Sequence, residues 1–248
     1  MSNRYPVRPE LTAVTMRVAV LTTRAGQTST YWAVSLAWTL SAARRVLLID
    51  ADMEGGTIAD LLYLRADERG IAKCFGETPT SAATLEAQAL QVPGNPELRV
   101  VPGLRGTFGY EIGECLRQLR PALQGVEAEI AIADLGHPLG HPGLRSPRSA
   151  GEAISKTFER VFVVVRDEPA LIARTVDVLR AARLKHGELV VCAQRSAAYQ
   201  RVMTETLGRE LPELPVRNGW FWDDRRARRM AETGRPMALS SAVQDLQL

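Results

Sequence analysis

Residues 16–62 predict an α/β fold: a doubly wound, mainly parallel β-sheet flanked by helices. Three observations carry this. Residues 16–21 (MRVAVL) and 46–49 (VLLI) are short apolar runs, the second closed by Asp50. Between them, after a small-residue loop, Val34, Leu36, Ala37 and Leu40 recur at helical spacing. Strand, loop, helix, strand is the βαβ unit, and the turn after its first strand is where α/β proteins place a phosphate. Finally, residues 160–165 (RVFVVV) form a nearly continuous apolar run. Such a run suits a central parallel strand covered on both faces.

The other elements follow in chain order. Residues 57–62 begin a short helix. Thr80 or Ser81 can cap a helix starting at Ala82. Residues 93–96 (PGNP) are a turn cluster, and 98–101 a strand ended by Pro102-Gly103. Ile112, Cys115, Leu116, Leu119 and Leu123 make one face of an amphipathic helix. Residues 128–135 are a strand that reaches Asp134. The glycines and prolines from Gly136 to Gly143 force a loop after it, with a basic flank at Arg145 and Arg148 around Ser146-Pro147. A short helix over 153–158 precedes the 160–165 strand, and Pro169 suits the first turn of the next helix. Residues 188–194 read as a strand, 197–207 as a helix, 211–222 as a stretch that contains the last strand and 238–246 as a closing helix.

Composition bounds what such a fold does. The chain has 248 residues, 46% hydrophobic and 24% charged, enough to bury a core in one domain over 16–248. Residues 1–15 carry two prolines and no periodicity, and read as a flexible N-terminal arm. The three cysteines, Cys74, Cys115 and Cys192, are far apart and form no CxxC pair. Neither a zinc site nor a disulfide framework is indicated, and a reducing, cytoplasmic setting is expected. His137 and His141 are four apart, a ligand spacing only on a helix, and Pro138 and Pro142 argue against one. A net charge of +3 permits contact with nucleic acid without requiring it. No apolar run is long enough to span a bilayer, the N-terminus is not a signal peptide, and the closing helix is too weakly amphipathic to anchor at a membrane.

The loop Arg24-Ala25-Gly26-Gln27-Thr28-Ser29-Thr30 resembles the K-G-G-x-G-K-[ST] loop of the ParA/MinD family of deviant Walker-A ATPases. The alignment is ungapped and anchored on Ala33-Val34-Ser35-Leu36-Ala37. Arg24 stands at the family's signature lysine and Thr30 at the hydroxyl that holds Mg²⁺. Ser29 stands where the phosphate-gripping lysine belongs, and Ala25 and Thr28 replace two glycines. Later landmarks are similar. Asp50-Ala51-Asp52 matches D-x-D, whose acids lie beside Mg²⁺ and the attacking water; both acids also suit the positive end of the helix that follows. Asp134-Leu135-Gly136-His137-Pro138 stands at the D-[TL]-P-P-G switch loop. Gln194 replaces an asparagine that reads adenine. Trp220-Phe221-Trp222-Asp223-Asp224 stands at V-I-P-x-D, and Gly234-Arg235-Pro236 at G-[RK]-P. The resemblance covers nearly the whole chain from Met16 on.

That resemblance implies a nucleotide site lined by Ala25, Gly26, Gln27, Thr28, Ser29, Thr30 and Tyr31, with Gln194, Trp222 and Asp224 around the base. Trp220 and Trp222 have three readings: stacking on the base, filling its pocket, or forming a protein contact. Thr30, Asp50 and Asp134 would hold Mg²⁺, and Arg24, Asp50, Asp52 and Asp134 would serve hydrolysis. Such a loop grips phosphate through converging backbone N–H groups, with glycines permitting the turn. A β-branched Thr28 is a poor guest at positive φ. The missing lysine charge is worth at most about 4 kcal/mol at 4 Å and an effective dielectric near 20, up to about a thousandfold in binding. The implied protein is a dimeric scaffold or spatial-organisation factor with a weakened ATP and Mg²⁺ site, a pseudo-ATPase. It would act through dimerisation and partner binding in chromosome partitioning, division-site placement or pilus/secretion assembly. The alternative is an active switch in which Arg24 reaches across the dimer as a trans cation. The related iron-protein type needs cluster cysteines at places this chain does not match, so no iron–sulfur cluster is expected. Arg225, Arg226, Arg228 and Arg229 are either a solvated helix face or a non-specific DNA surface with strong salt dependence.

Overall fold

The structure, a computed structural model, describes residues 16–26, 28–76, 78–104, 111–140, 146–193, 196–221, 229–230 and 232–236. The strands are β1 (Met16–Leu21), β2 (Val46–Asp50), β3 (Leu90–Val92), β4 (Asn95–Val101), β5 (Ile130–Asp134), β6 (Arg160–Arg166), β7 (Glu188–Ala193) and β8 (Val216–Phe221). The helices are α1 (Ser29–Leu40), α2 (Ile58–Leu61), α3 (Ala82–Ala87), α4 (Ile112–Gly125), α5 (Pro147–Thr157), α6 (Pro169–Ala182) and α7 (Ala197–Glu210).

Among the described residues, eight strands join in one sheet with the order β3-β4-β2-β5-β1-β6-β7-β8. Every pairing is parallel except β3 with β4. The period of two along each strand divides the core. Ala19, Leu21, Leu47, Ile49, Val161, Val163 and Val165 face the layer containing α4, α5, α6 and α7. Val18, Val20, Val46, Leu48, Phe162 and Val164 face the α1 layer. There the Trp32 ring lies 4.9 Å, centroid to centroid, from Phe162 at a tilt of 53°. Both faces of the central strands are therefore dry, as their unbroken apolar runs require. The fold expected from the sequence is the fold observed.

Two local expectations need correction. The 93–96 cluster is a two-residue turn at Pro93 and Gly94, with Gly94 at φ 76°, and Asn95 and Pro96 already belong to β4. This turn makes β3 an antiparallel edge strand. Pro96 is tolerated because β4 meets β2 only from Leu98 on, so no ladder bond is lost there. Arg145 lies outside the described residues, but from Pro147 on the basic stretch ahead of residue 153 is helix and not loop. Ser146 accepts the Ser149 N–H at 3.3 Å, Pro147 opens α5, and Arg148 pairs with Glu152 at 3.3 Å. The first turn of α5 is polar, so apolar spacing detected only its second half.

β5 pairs with β1 on one side, and the next strand in sequence, β6, lies on the other side of β1. Chain direction across the sheet thus reverses at β1, and the crevice this opens beyond the strand C-termini is where open α/β sheets bind ligands.

Candidate functional site

β1 delivers the chain into its loop under tight constraint. The Thr22 N–H donates to the Gly136 carbonyl at 2.8 Å, and the buried Thr23 hydroxyl meets that of Thr175 on α6 at 2.8 Å. Beyond them Arg24, Ala25 and Gly26 are exposed. Gly26 has φ 78° and Thr28 has φ 68°, ψ 13°. The loop therefore bends through two left-handed residues, one of them β-branched. That geometry costs a non-glycine residue about 1–2 kcal/mol, as the sequence anticipated for Thr28. Its side chain lies against the Cys192 thiol. The Thr28 carbonyl accepts the Trp32 N–H at 3.1 Å and starts α1. Neither a side-chain cap nor an acid in the first turn covers the start of that helix. Its N–H groups and positive dipole end are left for another anion.

Ser29 is buried, at 6% exposure, beneath the loop. Tyr31 is half-buried on α1. The Thr30 hydroxyl faces the Asp134 carboxylate and favours its charged form, so the last loop residue and the end of β5 meet.

Two of the predicted acids are fully buried. The Ala51 N–H donates to the Asp134 carbonyl and the Leu135 N–H to the Val20 carbonyl, each at 2.8 Å. These bonds lace the ends of β1, β2 and β5 together. Asp50 Oδ2 accepts the Ile58 N–H at 2.9 Å, and Asp134 Oδ1 accepts the Gly136 N–H at 3.2 Å. The other oxygens, Asp50 Oδ1 and Asp134 Oδ2, are buried without a hydrogen-bond partner. Burial first, then the negative charge of Asp134, pushes the Asp50 carboxyl up to about 8. Burial likewise raises Asp134 to about 6, against the Thr30 hydroxyl and the Gly136 N–H, which favour its charged form. Asp52 is less buried and accepts the Glu54 N–H at 3.0 Å. Backbone is packed around these acids: Gly56 and Gly103 press on the Asp50 carboxylate and Gly136, at φ 61°, on that of Asp52. None of the three positions has room for a side chain.

Two further residues reach this edge: Arg166, which sequence reasoning did not assign to it, and His137, placed there only as part of the switch loop. Arg166, the last residue of β6, donates from Nη1 to the Gly26 carbonyl at 3.0 Å and pairs through Nη2 with Glu168 at 3.3 Å. His137 Nε2 lies 3.2 Å from Glu54 Oε2, joining the loops that follow β5 and β2. The available signal for Arg166 was a cation closing an apolar strand, but which strand lies beside β1 is not written locally. His137 takes a carboxylate neighbour; its suggested fellow, His141, lies outside the described residues. So do Gln27, Gln194, Trp222, Asp224, Arg225, Arg226 and Arg228. Arg229 is described, exposed and helical.

The donor set suits a hard cation only when phosphate oxygens complete it. Among the described residues no three His, Cys, Asp or Glu side chains converge closely enough to enclose a metal alone. Yet a hydroxyl and two buried carboxylates with orphan oxygens meet beside an uncapped helix start, which fits a magnesium–phosphate pair. No described helix is long and apolar enough to cross a membrane.

No protein-family model matches the chain, and comparison with curated proteins finds no match. Solved structures do match it. MinD complexed with Mg-ADP from Pyrococcus horikoshii OT3 aligns with a TM-score of 0.62 at 14% identity, over 90% of this chain and 87% of that one. The MinC:MinD cell division protein complex of Aquifex aeolicus gives 0.66 and 14%, over 90% and 87%. A protein described as a plasmid partition protein of Borrelia burgdorferi B31, bound to AMPPNP, gives 0.65 and 14%, over 93% and 95%. Identities this low establish a common fold, that of the MinD/ParA P-loop ATPases, and nothing finer.

Proposed function

We propose that this chain, one ParA/MinD-like unit from residue 16 on, is a spatial-organisation or scaffold protein whose ATP site keeps its metal side and has lost its phosphate clasp. It acts as a homodimer that recruits a partner in partitioning, division-site placement or pilus/secretion assembly. The observation that carries the retained half is the pair of buried carboxylates, Asp50 and Asp134, with unpartnered oxygens beside Thr30. Burying two carboxylates, each with one oxygen unpartnered, is costly, and a cation sharing them with phosphate relieves that cost. Magnesium, when bound there by Thr30, Asp50 and Asp134, would neutralise phosphate charge. The chain itself supplies the bent loop and the N–H groups at the start of α1, and it positions water through Asp52 and Asp134. The lost half rests on Ser29, a buried hydroxyl where a lysine would reach the phosphates. Neighbours solved with Mg-ADP and AMPPNP support the nucleotide, and one solved with MinC supports partner recruitment.

Calorimetric titration with Mg-ATP tests this. The expected dissociation constant is roughly 0.1–1 mM, a binding free energy of about −4 to −5.5 kcal/mol. Absence of any heat at millimolar ATP contradicts the retained metal side; low-micromolar binding contradicts the lost clasp. A second reading, an active switch, is favoured by one observation: Arg24 is exposed on the loop, where a second copy can receive it.

A further inference from the structure

Resting on the nucleotide reading above, we propose that Arg166 substitutes for the missing lysine, clamping the loop at Gly26 and supplying the cation of the phosphate site from the neighbouring strand. Ser29 is buried and carries no charge, so the loop lacks a cation at the lysine position. β6 lies directly beside β1, with Leu21 opposite Val163, and runs three residues further, to Arg166, alongside the loop. At that point the guanidinium Nη1 is 3.0 Å from the Gly26 carbonyl. Gly26 is one of the two left-handed residues that shape the loop. Fixing its carbonyl fixes the peptide plane and hence the bend.

The residue type suits the task. A guanidinium is permanently charged and forks onto phosphate oxygens, which are stronger acceptors than a peptide carbonyl. Glu168, at 3.3 Å on Nη2, orients the fork from the start of α6. Arg166 is three-quarters buried, so its charge is less screened than that of an exposed arginine. A cation placed this way acts on phosphate charge and not on the base, and its contribution grows with the number of phosphates.

The test is titration of the full chain with Mg-ADP and with AMP, followed by protein-detected NMR because the affinities are weak. Arg166→Gln removes the charge and keeps an amide donor on a shorter arm. It is expected to weaken Mg-ADP about tenfold, to weaken AMP less, and to leave the nucleotide-free melting temperature near wild type. Arg166→Lys is expected to recover most of the loss, which a purely structural role for the side chain would not produce. Should the Gln variant fail to fold, Arg166→Met, which keeps the apolar stem, is compared in the same way. Equal Mg-ADP affinity in wild type and the charge-removing variants overturns the assignment of Arg166 alone. Absence of Mg-ADP binding by the wild type overturns the nucleotide reading and this assignment with it.

Discussion

Replacing Ser29 with lysine tightens Mg-ATP binding by about ten- to a hundredfold, a gain of roughly 1.4–2.8 kcal/mol. The rest of the cradle is in place to profit from the charge. Gly26 and Thr28 already bend through positive φ, α1 begins without a cap or an acid, and Thr30 faces Asp134. The gain falls short of the roughly thousandfold ceiling for one such contact. Position 29 is buried, so the new side chain must thread its stem past the loop and lose solvation on the way. Calorimetry on the variant and the wild type measures the ratio directly. An unchanged constant would place the limitation in the loop backbone, at Ala25 and Thr28, and not in the missing cation.

Substituting Asp50 by asparagine stabilises the nucleotide-free protein at pH 8 by about 2–3 kcal/mol and has little effect at pH 5. The sign follows from proton binding. The folded carboxyl titrates near 8, against 3.8 for the unperturbed group. Between about pH 4 and pH 8 the folded state therefore holds more protons than the unfolded state, and stability falls as pH rises. Asp134 adds the same trend over the narrower range from 3.8 to about 6. The amide that Asp50→Asn introduces keeps an acceptor for the Ile58 N–H and never ionises. Its N–H₂ group takes the place of the buried, unpartnered Oδ1 and gives back part of the gain through an unmet donor. Melting curves at pH 5 and pH 8 should show a steep loss for the wild type and a shallow one for the variant. The variant should also lose the Mg-ATP response, since it retains no charge at position 50. Parallel pH slopes in the two proteins would remove Asp50 from the account of the site.

Much of the sheet was legible because its signals are local. Unbroken apolar runs in β1, β2 and β6, with Asp50 and Asp134 as punctuation, placed the strand ends and thus the crevice. The loop composition announced that Thr28 would be awkward, and it sits at φ 68°. What stayed hidden depends on neighbours distant in sequence. Arg166 meets Gly26 across 140 residues, and that contact exists only because β6 was placed beside β1. Gly103 matters through the Asp50 carboxylate and Gly56, from the far side of β2. The pairing of His137 with Glu54 likewise joins two separate loops. The early start of α5 escaped for another reason: its first turn is polar, and its Ser146-Pro147 cap reads equally well as a turn.

Phosphate release from Mg-ATP, followed at steady state for the wild type and for Arg24→Ala, decides whether the site turns nucleotide over. A cradle that keeps its acids but lacks its lysine should release phosphate no faster than buffer, and the two proteins should be indistinguishable. Sustained release by the wild type that disappears in Arg24→Ala would contradict the claim and establish a working switch with its cation supplied from a second copy.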